Sequence, residues 1–282
     1  MLAILGKLSF AYGFSSFQML QYRFGFATLM LFVYFWLTDR SCLVTSRKTI
    51  AKAAFLGVCL YPVQSICYIN SVKYIPASTT SLVFYFYPVL VTLLSACFFK
   101  TRITRVIVVA LCLITLGCGL VFYDSFLRSI SPTGVYLAVA ATCIFSFYLI
   151  CLQGLLRGEN PRTVTFYVVL SAACVYTVLA PPTGFLALDG HGMLLALSLG
   201  LIPTALAVTL LYEAVDRIGS AYVSICSTLE PIATVVASAF LLGETIVPVQ
   251  IAGMVLILLG ILLPNLGLIP LWRQTRQPLP KA

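Results

Sequence analysis

The feature that most limits what this chain can fold into is a series of long apolar runs along almost its whole length. Each run comes close to the ~20 residues that a helix needs to cross the hydrocarbon core of a bilayer. We therefore expect a polytopic membrane protein. The runs lie at about residues 17–37, 51–71, 77–99, 104–123, 133–153, 163–181, 192–212, 220–242 and 247–268, and residues 1–10 belong to another.

The pattern within the runs favours helices over strands. Strands of a closed membrane barrel alternate apolar and polar residues at every second position, and these runs do not. Charged residues form only 9% of the chain, whereas roughly a quarter is usual in a soluble domain, so the chain cannot coat a water-facing globule. The expected fold class is an all-α polytopic membrane protein.

The cysteines and the histidine indicate neither disulfides nor a metal centre. Nearly all ten cysteines lie inside apolar runs and none forms a C-x-x-C pair, so they are expected to pack as small apolar residues. The single histidine, His191, falls in an expected external loop. We expect no metal, no cofactor and, without a G-x-x-x-x-G-K-[ST] loop, no ATP hydrolysis by the chain itself.

Basic residues are distributed unevenly between alternate loops. With the N-terminus in the cytoplasm, the external loops hold only Lys73 and Arg128. This positive-inside bias predicts cytoplasmic N- and C-termini, and short loops without an organelle signal favour a cell inner membrane. The net charge of +9 is thus a topology signal, and no nucleic acid is expected as a partner. The cytoplasmic segments hold Arg40, Arg47, Lys48, Lys52, Lys100, Arg102, Arg105, Arg157, Arg162, Arg217, Arg273, Arg276 and Lys281.

The chain contains an internal repeat at a constant offset of 143 residues. Residues 72–88, VKYIPASTTSLVFYFYP, align with residues 215–231, VDRIGSAYVSICSTLEP. The same register extends over whole helices without a gap. The matched pairs are Val72 with Val215, Ile75 with Ile218, Ser81 with Ser224, Pro88 with Pro231, Ser95 with Ser238 and Gly117 with Gly260.

Each repeat holds five predicted helices, and an odd number makes the two copies enter the membrane in opposite directions. Such an inverted repeat is a common plan of secondary transporters, although a duplicated membrane protein without transport activity would show it too. The expected units are a first five-helix repeat at residues 1–128, a second at 129–270 and a cytoplasmic tail at 271–282.

The offset also indicates an incomplete first helix. The sixth helix begins near Thr133, and its counterpart would lie about ten residues before Met1. The first helix is therefore expected to lack its N-terminal half, either because the true start lies upstream or because the chain is naturally shortened. We favour the first explanation.

Several motifs resemble the drug/metabolite transporter superfamily, specifically the EamA-type permeases with two five-helix repeats. The resemblance covers essentially the whole chain, and it implies ten helices with both ends cytoplasmic and transport of solutes such as amino acids, nucleoside derivatives, vitamins or drugs. The matching motifs are Leu229-Glu230-Pro231, Leu241-Leu242-Gly243-Glu244, Gln250-Ile251-x-Gly253 and Tyr22-Arg23-Phe24, where the family has its arginine.

The first repeat departs from the family pattern at two places. Tyr87 replaces the glutamate that precedes the proline, and Lys100-Thr101 replace Gly-Glu. These departures weaken an inference about mechanism more than one about fold.

Two stripes of hydroxyl residues recur at helical spacing, one in each repeat. A polar stripe in lipid is costly unless it faces protein or a water-filled cavity, so the stripes are either facing walls of one pathway or ordinary packing surfaces where helices approach closely. Tyr85 is the strongest ligand candidate. The fourth helix carries Ser78, Ser81, Tyr85, Pro88, Thr92 and Ser95, and the ninth carries Ser224, Ser227, Thr228, Pro231, Thr234 and Ser238.

Prolines in the middle of four helices are candidate hinges. Pro88 and Pro231 lie at equivalent positions, and Pro62 and Pro203 lie at similar depths in the third and eighth helices. Proline removes a backbone hydrogen bond and kinks or breaks a helix. Interrupted helices at the midplane of both halves are the best sequence indication of a carrier's binding site.

Two charged residues fall inside predicted spans, and each has two interpretations. Glu230 is expected to be buried, which would raise the pKa of its carboxyl group. It would then take part in proton coupling or bind a cationic substrate. The alternative is a structural role, in which it hydrogen-bonds a neighbouring helix. Arg23 either neutralises an anionic group of the substrate or hydrogen-bonds helix ends. Weaker candidates for substrate binding are Gln64, Asn70 and Tyr212.

The function that these features favour is secondary transport of a small polar or amphipathic metabolite by alternating access, without enzyme activity. The alternatives are a membrane-embedded transferase, which would need positioned acid/base groups or a metal, and a non-transporting membrane subunit. The expected partners are a small-molecule substrate, protons at Glu230 and the lipid bilayer. Both a monomer and a homodimer are compatible with the sequence.

Overall fold

The computed structural model describes residues 2–123, 131–179, 188–242 and 246–266. Within these residues the chain forms ten main helices, α1 to α10, one short 3₁₀ helix at Arg40–Leu43 and no strand, so the expected all-α fold is confirmed. Two of them are broken and are given as segments a and b. The helices are α1 Leu2–Tyr12, α2 Ser16–Thr38, α3 Arg47–Tyr74, α4a Ala77–Phe84, α4b Tyr87–Phe99, α5 Arg105–Val121, α6 Pro132–Leu156, α7 Pro161–Leu179, α8 190–218, α9a 220–227, α9b Leu229–Leu242 and α10 Pro248–Leu266.

Six helical runs in the described part of the chain are long and apolar enough to cross a membrane, which confirms a multi-pass membrane protein. They correspond to α2, α3, α4, α6, α7 and the continuous run Gly190–Ser227, while α5 and α10 are shorter apolar helices. The expected tail at 271–282 lies outside the described residues.

The third and eighth helices begin and bend in the same way. The Ser46 hydroxyl accepts a hydrogen bond from the Thr49 amide at 3.1 Å, and the Asp189 carboxylate accepts one from the Gly192 amide at 2.7 Å. Such side-chain caps satisfy amides that the first turn of a helix leaves unpaired. Ser46 and Asp189 are also separated by the repeat offset. Each helix then passes through a π-helical turn, Leu56–Leu60 in α3 and Leu201–Leu206 in α8.

The boundary between the third and fourth helices has its equivalent between the eighth and ninth. In the first repeat the chain is extended at Ile75, before Pro76. In the second, the equivalent position to Pro76 is Gly219, which has a φ of 80°. Glycine adopts that conformation without a steric penalty. Gln153 of α6 covers this break because its side-chain oxygen accepts hydrogen bonds from the Ser220 amide at 2.8 Å and from its hydroxyl at 2.6 Å.

The fifth and tenth helices pack against each other in antiparallel directions. A Cβ on Gly117 would lie 2.7 Å from the Gly253 carbonyl oxygen, and a Cβ on Gly260 would lie 2.9 Å from the Ala110 carbonyl oxygen. These two contacts exchange when every residue is replaced by its repeat counterpart. A contact that maps onto itself in this way is the signature of a two-fold relation, so the two repeats are inverted with respect to each other.

A second pair of glycines lies at equivalent positions of α3 and α8, and each glycine is in close contact with a helix of the other repeat. A Cβ on Gly57 of α3 would overlap the Val168 carbonyl oxygen of α7, and a Cβ on Gly200 of α8 would lie 2.7 Å from the Phe26 Cβ of α2. Gly57 and Gly200 are 143 residues apart. Glycine is therefore needed at both positions for helices of opposite repeats to approach.

Candidate functional site

A buried arginine connects the two repeats in the interior. Arg23 of α2 is 6% exposed. Its Nε donates a hydrogen bond to the Thr204 hydroxyl at 2.8 Å, and its Nη2 donates to the Tyr61 hydroxyl at 3.1 Å and to the Pro203 carbonyl at 3.4 Å. The guanidinium also lies 5.0 Å from the ring centre of Phe24. These bonds run to groups in the interior of the bundle and not to the ends of helices.

The π-helical turns explain why backbone carbonyls are available in the interior. A proline cannot donate a hydrogen bond and a π-helical turn shifts the pairing of carbonyls, so acceptors are released. In α8 the released acceptor is the carbonyl of Pro203, which Arg23 contacts. In α3 the carbonyl of Pro62, just after the π-helical turn, accepts a hydrogen bond from the Tyr176 hydroxyl at 2.9 Å. Pro203 thus lies within a π-helical turn and Pro62 lies just after one, and the carbonyl of each accepts a hydrogen bond from the opposite repeat.

Tyrosines extend this interior beyond Arg23. The hydroxyls of Tyr148 and Tyr212 are hydrogen-bonded to each other, and the rings of Tyr61 and Tyr148 lie 5.3 Å apart. Tyr212 is fully buried, so it lies deep in the interior. The prediction that Tyr212 contacts substrate remains a prediction, but the structure places it in the same cluster as Arg23.

The fourth and ninth helices are broken at equivalent positions. The fourth is interrupted at Tyr85 and Phe86, before Pro88, and the ninth at Thr228, before Pro231. Tyr85 has φ −70° and ψ 6°, and Thr228 has φ −70° and ψ 1°. Each break lies about three residues before a proline, where the ring clashes with the preceding turn. Both predicted prolines therefore interrupt their helices.

A group of tyrosines surrounds the break in α4. The Tyr68 and Ser81 hydroxyls lie 3.4 Å apart, and the Tyr87 hydroxyl donates a hydrogen bond to the Ser224 carbonyl of α9a at 3.4 Å. Tyr85 is buried and stacks on Phe122. Ser81 and Tyr85 thus lie close to a group of aromatic side chains that also contacts the ninth helix.

Glu230 contradicts the expectation of burial, because its side chain is exposed. It is the second residue of α9b and follows the break at Thr228. The carboxylate is therefore accessible at the break in the ninth helix.

Most of the remaining stripe hydroxyls bond their own helices. Thr92 donates to the Pro88 carbonyl at 2.8 Å, Ser224 to the Ala221 carbonyl at 2.7 Å and Thr228 to the Ile225 carbonyl at 2.6 Å. These three hydroxyl residues are also buried. For them the structure favours the packing interpretation over a wet pathway wall. The side chain of Ser238 lies outside what the structure describes.

The two weaker candidates on α3 lie on different parts of that helix. Gln64 is buried and its side-chain oxygen accepts a hydrogen bond from the Ser65 hydroxyl at 3.4 Å. Asn70 is half-buried, two turns further along. The interior residues that sequence reasoning missed are Tyr61, Tyr68, Tyr148, Tyr176 and Thr204. Tyr61 and Tyr68 could have been found, because their spacing of seven residues places both on one helix face.

A crevice of about 700 Å³ lies on a different face of the fourth helix. Its lining is almost wholly apolar and comes from the fourth, fifth and sixth helices, including Leu82, Phe86, Leu116 and Val139. None of the predicted site residues lines it.

Contacts between the repeats are also made at both ends of the bundle. At one end the Tyr12 hydroxyl donates a hydrogen bond to the Asp189 carboxylate, which holds the pKa of that carboxyl group below its ordinary value. At the other end the Thr49 hydroxyl donates to the Glu159 carboxylate at 2.6 Å. In the first contact the end of α1 meets the start of α8, and in the second the end of α6 meets the start of α3. Both contacts join opposite repeats.

Comparisons with known proteins agree with this architecture. A family model described as the EamA-like transporter family matches residues 1–123 and 132–266. A protein of Bacillus subtilis (strain 168) described as "Uncharacterized transporter YwfM" is 27% identical over 147 residues, which are 52% of this chain and 50% of that protein. The match therefore spans about half the length of that relative.

A solved crystal structure shares the fold. It superimposes with a TM-score of 0.77 at 17% identity and covers 94% of this chain and 91% of the other.

Proposed function

The chain belongs to the EamA-like transporter family, and from this membership we propose that it is a secondary carrier that moves a small polar or amphipathic metabolite by alternating access. The family and the relative from Bacillus subtilis support a membrane transporter in general. The substrate class and the transport cycle are the parts that we propose.

The observation that carries the proposal is the pair of equivalent breaks at Tyr85–Phe86 and Thr228. A broken helix has fewer backbone hydrogen bonds to hold its two segments in line, so it can bend at small cost. Two such breaks in inverted repeats let one end of the bundle open while the other closes. The hydrogen-bonded contacts Tyr12–Asp189 and Thr49–Glu159 lie at the two ends that would open in turn.

The interior between these ends suits a polar or amphipathic solute. Arg23 and the hydroxyls of Tyr61, Tyr148 and Tyr212 offer charge and hydrogen bonds, and the aromatic rings offer apolar contact. An amphipathic solute can contact both the polar groups and the rings, whereas a purely apolar solute can contact only the rings.

We place the protein in a cell inner membrane with both termini in the cytoplasm, on the basis of the basic loops. Proton coupling at Glu230 is part of the proposal, because this carboxylate directly follows a helix break and is exposed there.

The test is uptake and efflux of a labelled metabolite panel by the purified protein in liposomes, with and without an imposed pH gradient. A carrier gives saturable flux of at least one solute that protein-free liposomes lack. A transferase or a non-transporting subunit gives no such flux in either direction, and that result would reject the proposal.

A further inference from the structure

Four exposed cations gather at one end of the fourth, fifth and sixth helices, and we call them the basic cluster. At the end of α6, the Arg157 guanidinium lies 4.7 Å from the ring centre of Phe99, the last residue of α4b. The Thr101 hydroxyl donates a hydrogen bond to the Ser95 hydroxyl at 3.3 Å, which holds the start of the next loop against α4b. The basic cluster consists of Lys100, Arg102, Arg105 and Arg157.

The carboxylates that the structure describes at this end of the bundle bond other groups. The ion pairs among the described residues join Arg162 and Arg217 to Glu213. Glu159 is the carboxylate closest to the basic cluster in sequence, and it accepts a hydrogen bond from the Thr49 hydroxyl of α3. The basic cluster can therefore bind an anion that comes from outside the protein.

Lys100 adopts a backbone conformation that favours glycine. With φ 55° and ψ 31°, it alone among the described residues other than glycine has a positive φ. A residue with a Cβ is strained there, and helices often end on a glycine in this conformation. The second repeat has Gly243-Glu244 where the first has Lys100-Thr101. A charge that only sets the topology could lie at an unstrained position nearby, so the strained lysine indicates a further role.

The apolar crevice of about 700 Å³ lies on the same three helices. The Thr142 hydroxyl of α6 donates a hydrogen bond to the Val83 carbonyl of α4a at 3.3 Å, whereas α5 packs against α10 at Gly117 and Gly253. The crevice is the space between these two pairs of helices. Since α4 and α6 are long and apolar enough to span the membrane, the medium around the crevice is lipid hydrocarbon.

The basic cluster and the crevice are separated by about the thickness of one lipid leaflet. Leu90 in the crevice and Phe99 at the cluster are nine residues apart on the unbroken α4b, and Leu116 and Arg105 are eleven apart on α5. These separations are about 14 and 17 Å along a helix axis, and half of the hydrocarbon core is about 15 Å. Exposed apolar side chains connect the two regions, namely Leu93, Cys97, Val109, Cys112 and Phe147.

We propose that this face of the protein binds an anionic phospholipid, with its phosphate at the basic cluster and one acyl chain in the crevice. Hydrogen bonds from guanidinium groups to phosphate are strong because both groups are charged, and basic pockets between membrane helices bind anionic headgroups. The chain would reach Phe86, which lines the crevice at the break in α4. This lipid site goes beyond the proposed function and does not depend on which solute is carried.

Binding of lipids to the full chain in an uncharged detergent tests the proposal. The probes are dioleoylphosphatidylglycerol, dioleoylphosphatidylcholine and glycerol 3-phosphate. Binding is measured as a shift of the unfolding temperature with concentration, and bound lipids are counted by native mass spectrometry. We expect the phosphatidylglycerol to bind about tenfold or more tightly than the phosphatidylcholine, which has the same chains without net charge, and glycerol 3-phosphate to give no shift.

Lys100→Gly tests the headgroup contact. It should raise the unfolding temperature without lipid, because the strain is removed, and weaken binding of phosphatidylglycerol about fivefold, because one cation is lost. Lys100→Arg should keep the affinity. The matched controls are Lys48→Gln and Lys52→Gln, which remove exposed cations from the start of α3 at the same end of the bundle. Each control should change the affinity less than about twofold.

Gly119→Leu tests the acyl-chain contact. Gly119 lines the crevice, and a Cβ there has no neighbour within 4 Å, so the larger side chain can fill the crevice without a clash. This variant should weaken binding of both lipids, whereas Lys100→Gly should weaken only that of phosphatidylglycerol.

Three results would overturn the lipid site. The first is equal binding of the two lipids, and the second is binding of glycerol 3-phosphate as tight as that of phosphatidylglycerol, which would indicate a site for free phosphate. The third is an equal loss of affinity in Lys48→Gln and Lys100→Gly, which would indicate general attraction to the charged end of the bundle.

Discussion

The breaks in the fourth and ninth helices have the same backbone geometry and different chemistry. Tyr85 and Thr228 adopt nearly identical φ and ψ angles at equivalent positions of the two repeats. Two residues further on, the first repeat has the buried Tyr87 and the second has the exposed Glu230. The proline that follows is present in both.

The difference indicates which properties the two halves share. A proline restricts the backbone whatever its neighbours are, so both halves keep a place to bend. A side chain affects only the groups that it contacts. At this position the first repeat has a tyrosine hydroxyl and the second has a carboxylate. We infer that bending is common to both repeats, whereas a charged side chain two residues after the break is found in the second repeat and not in the first.

The largest effect is expected on stability, at the two equivalent glycines that let helices of opposite repeats approach. Gly57→Leu and Gly200→Leu should each destabilise the fold by about 3 kcal/mol or more, because overpacking forces backbone shifts, and here two helices would have to separate. The two variants should resemble each other in unfolding temperature and yield after detergent extraction. Gly154→Leu is the matched control, since a Cβ there contacts nothing within 4 Å. A large effect at only one of the paired glycines would break the symmetry.

The second largest effect should differ between the two repeats, and it concerns flux and its dependence on a pH gradient. Glu230→Gln should reduce flux by about tenfold or more, in line with the loss of a charge-assisted contact, and should abolish acceleration by a pH gradient. Tyr87→Phe, at the equivalent position, should reduce flux less and keep the gradient dependence. Flux in liposomes measures both. Unchanged gradient dependence in Glu230→Gln would reject proton coupling at this residue.

Replacing the prolines should affect both halves to a similar, smaller extent. Pro88→Ala and Pro231→Ala allow the broken helices to form continuous hydrogen bonds, so both should be as stable as the natural protein or more so. Flux should fall a few-fold because the helices bend less readily. Parallel measurement of unfolding temperature and flux distinguishes stiffening from misfolding. Faster flux in either variant would argue against hinges at these positions.

The smallest effect is expected at the contact between Tyr12 and Asp189. The hydrogen bond from Tyr12 lowers the pKa of Asp189 in the folded protein, so it adds stability above the unfolded value of about 3.9 that is lost as pH falls through the folded value. Tyr12→Phe should therefore lose a little stability at neutral pH and show a shallower decline between roughly pH 5 and pH 2. Unfolding temperatures across this range test the difference.

Thr49→Val removes the corresponding hydrogen bond at the other end of the bundle, to Glu159. It is the matched comparison for Tyr12→Phe, because it should lower stability at neutral pH without changing the titration of Asp189. An identical pH profile in both variants would contradict the assignment to Asp189.

The fold was largely predictable from the sequence because its causes are local or repeated. Apolar length predicts the membrane spans, and the offset of 143 residues predicts the equivalent breaks at Pro88 and Pro231. The same offset would have found Gly57 and Gly200, two glycines in apolar helices that a search for polar residues passes over.

The site was less predictable because it depends on how helices rotate. The direction of a side chain was predicted by counting residues along a continuous ninth helix. The helix is interrupted at Thr228, so that count does not hold for Glu230, which is exposed against expectation. The bonds of Arg23 could not be anticipated either, since Pro203 offers its carbonyl only through a π-helical turn that sequence spacing does not indicate.

Alternating access is tested most directly by distances between spin labels at the two ends of α3 and α8. One pair joins the exposed positions Tyr74 and His191, and the other joins Lys48 and Asp216. In lipid bilayers, adding a solute that the protein transports should lengthen one distance distribution and shorten the other. If both distributions stay unchanged, or both move in the same direction, the two repeats do not rock about a shared interior.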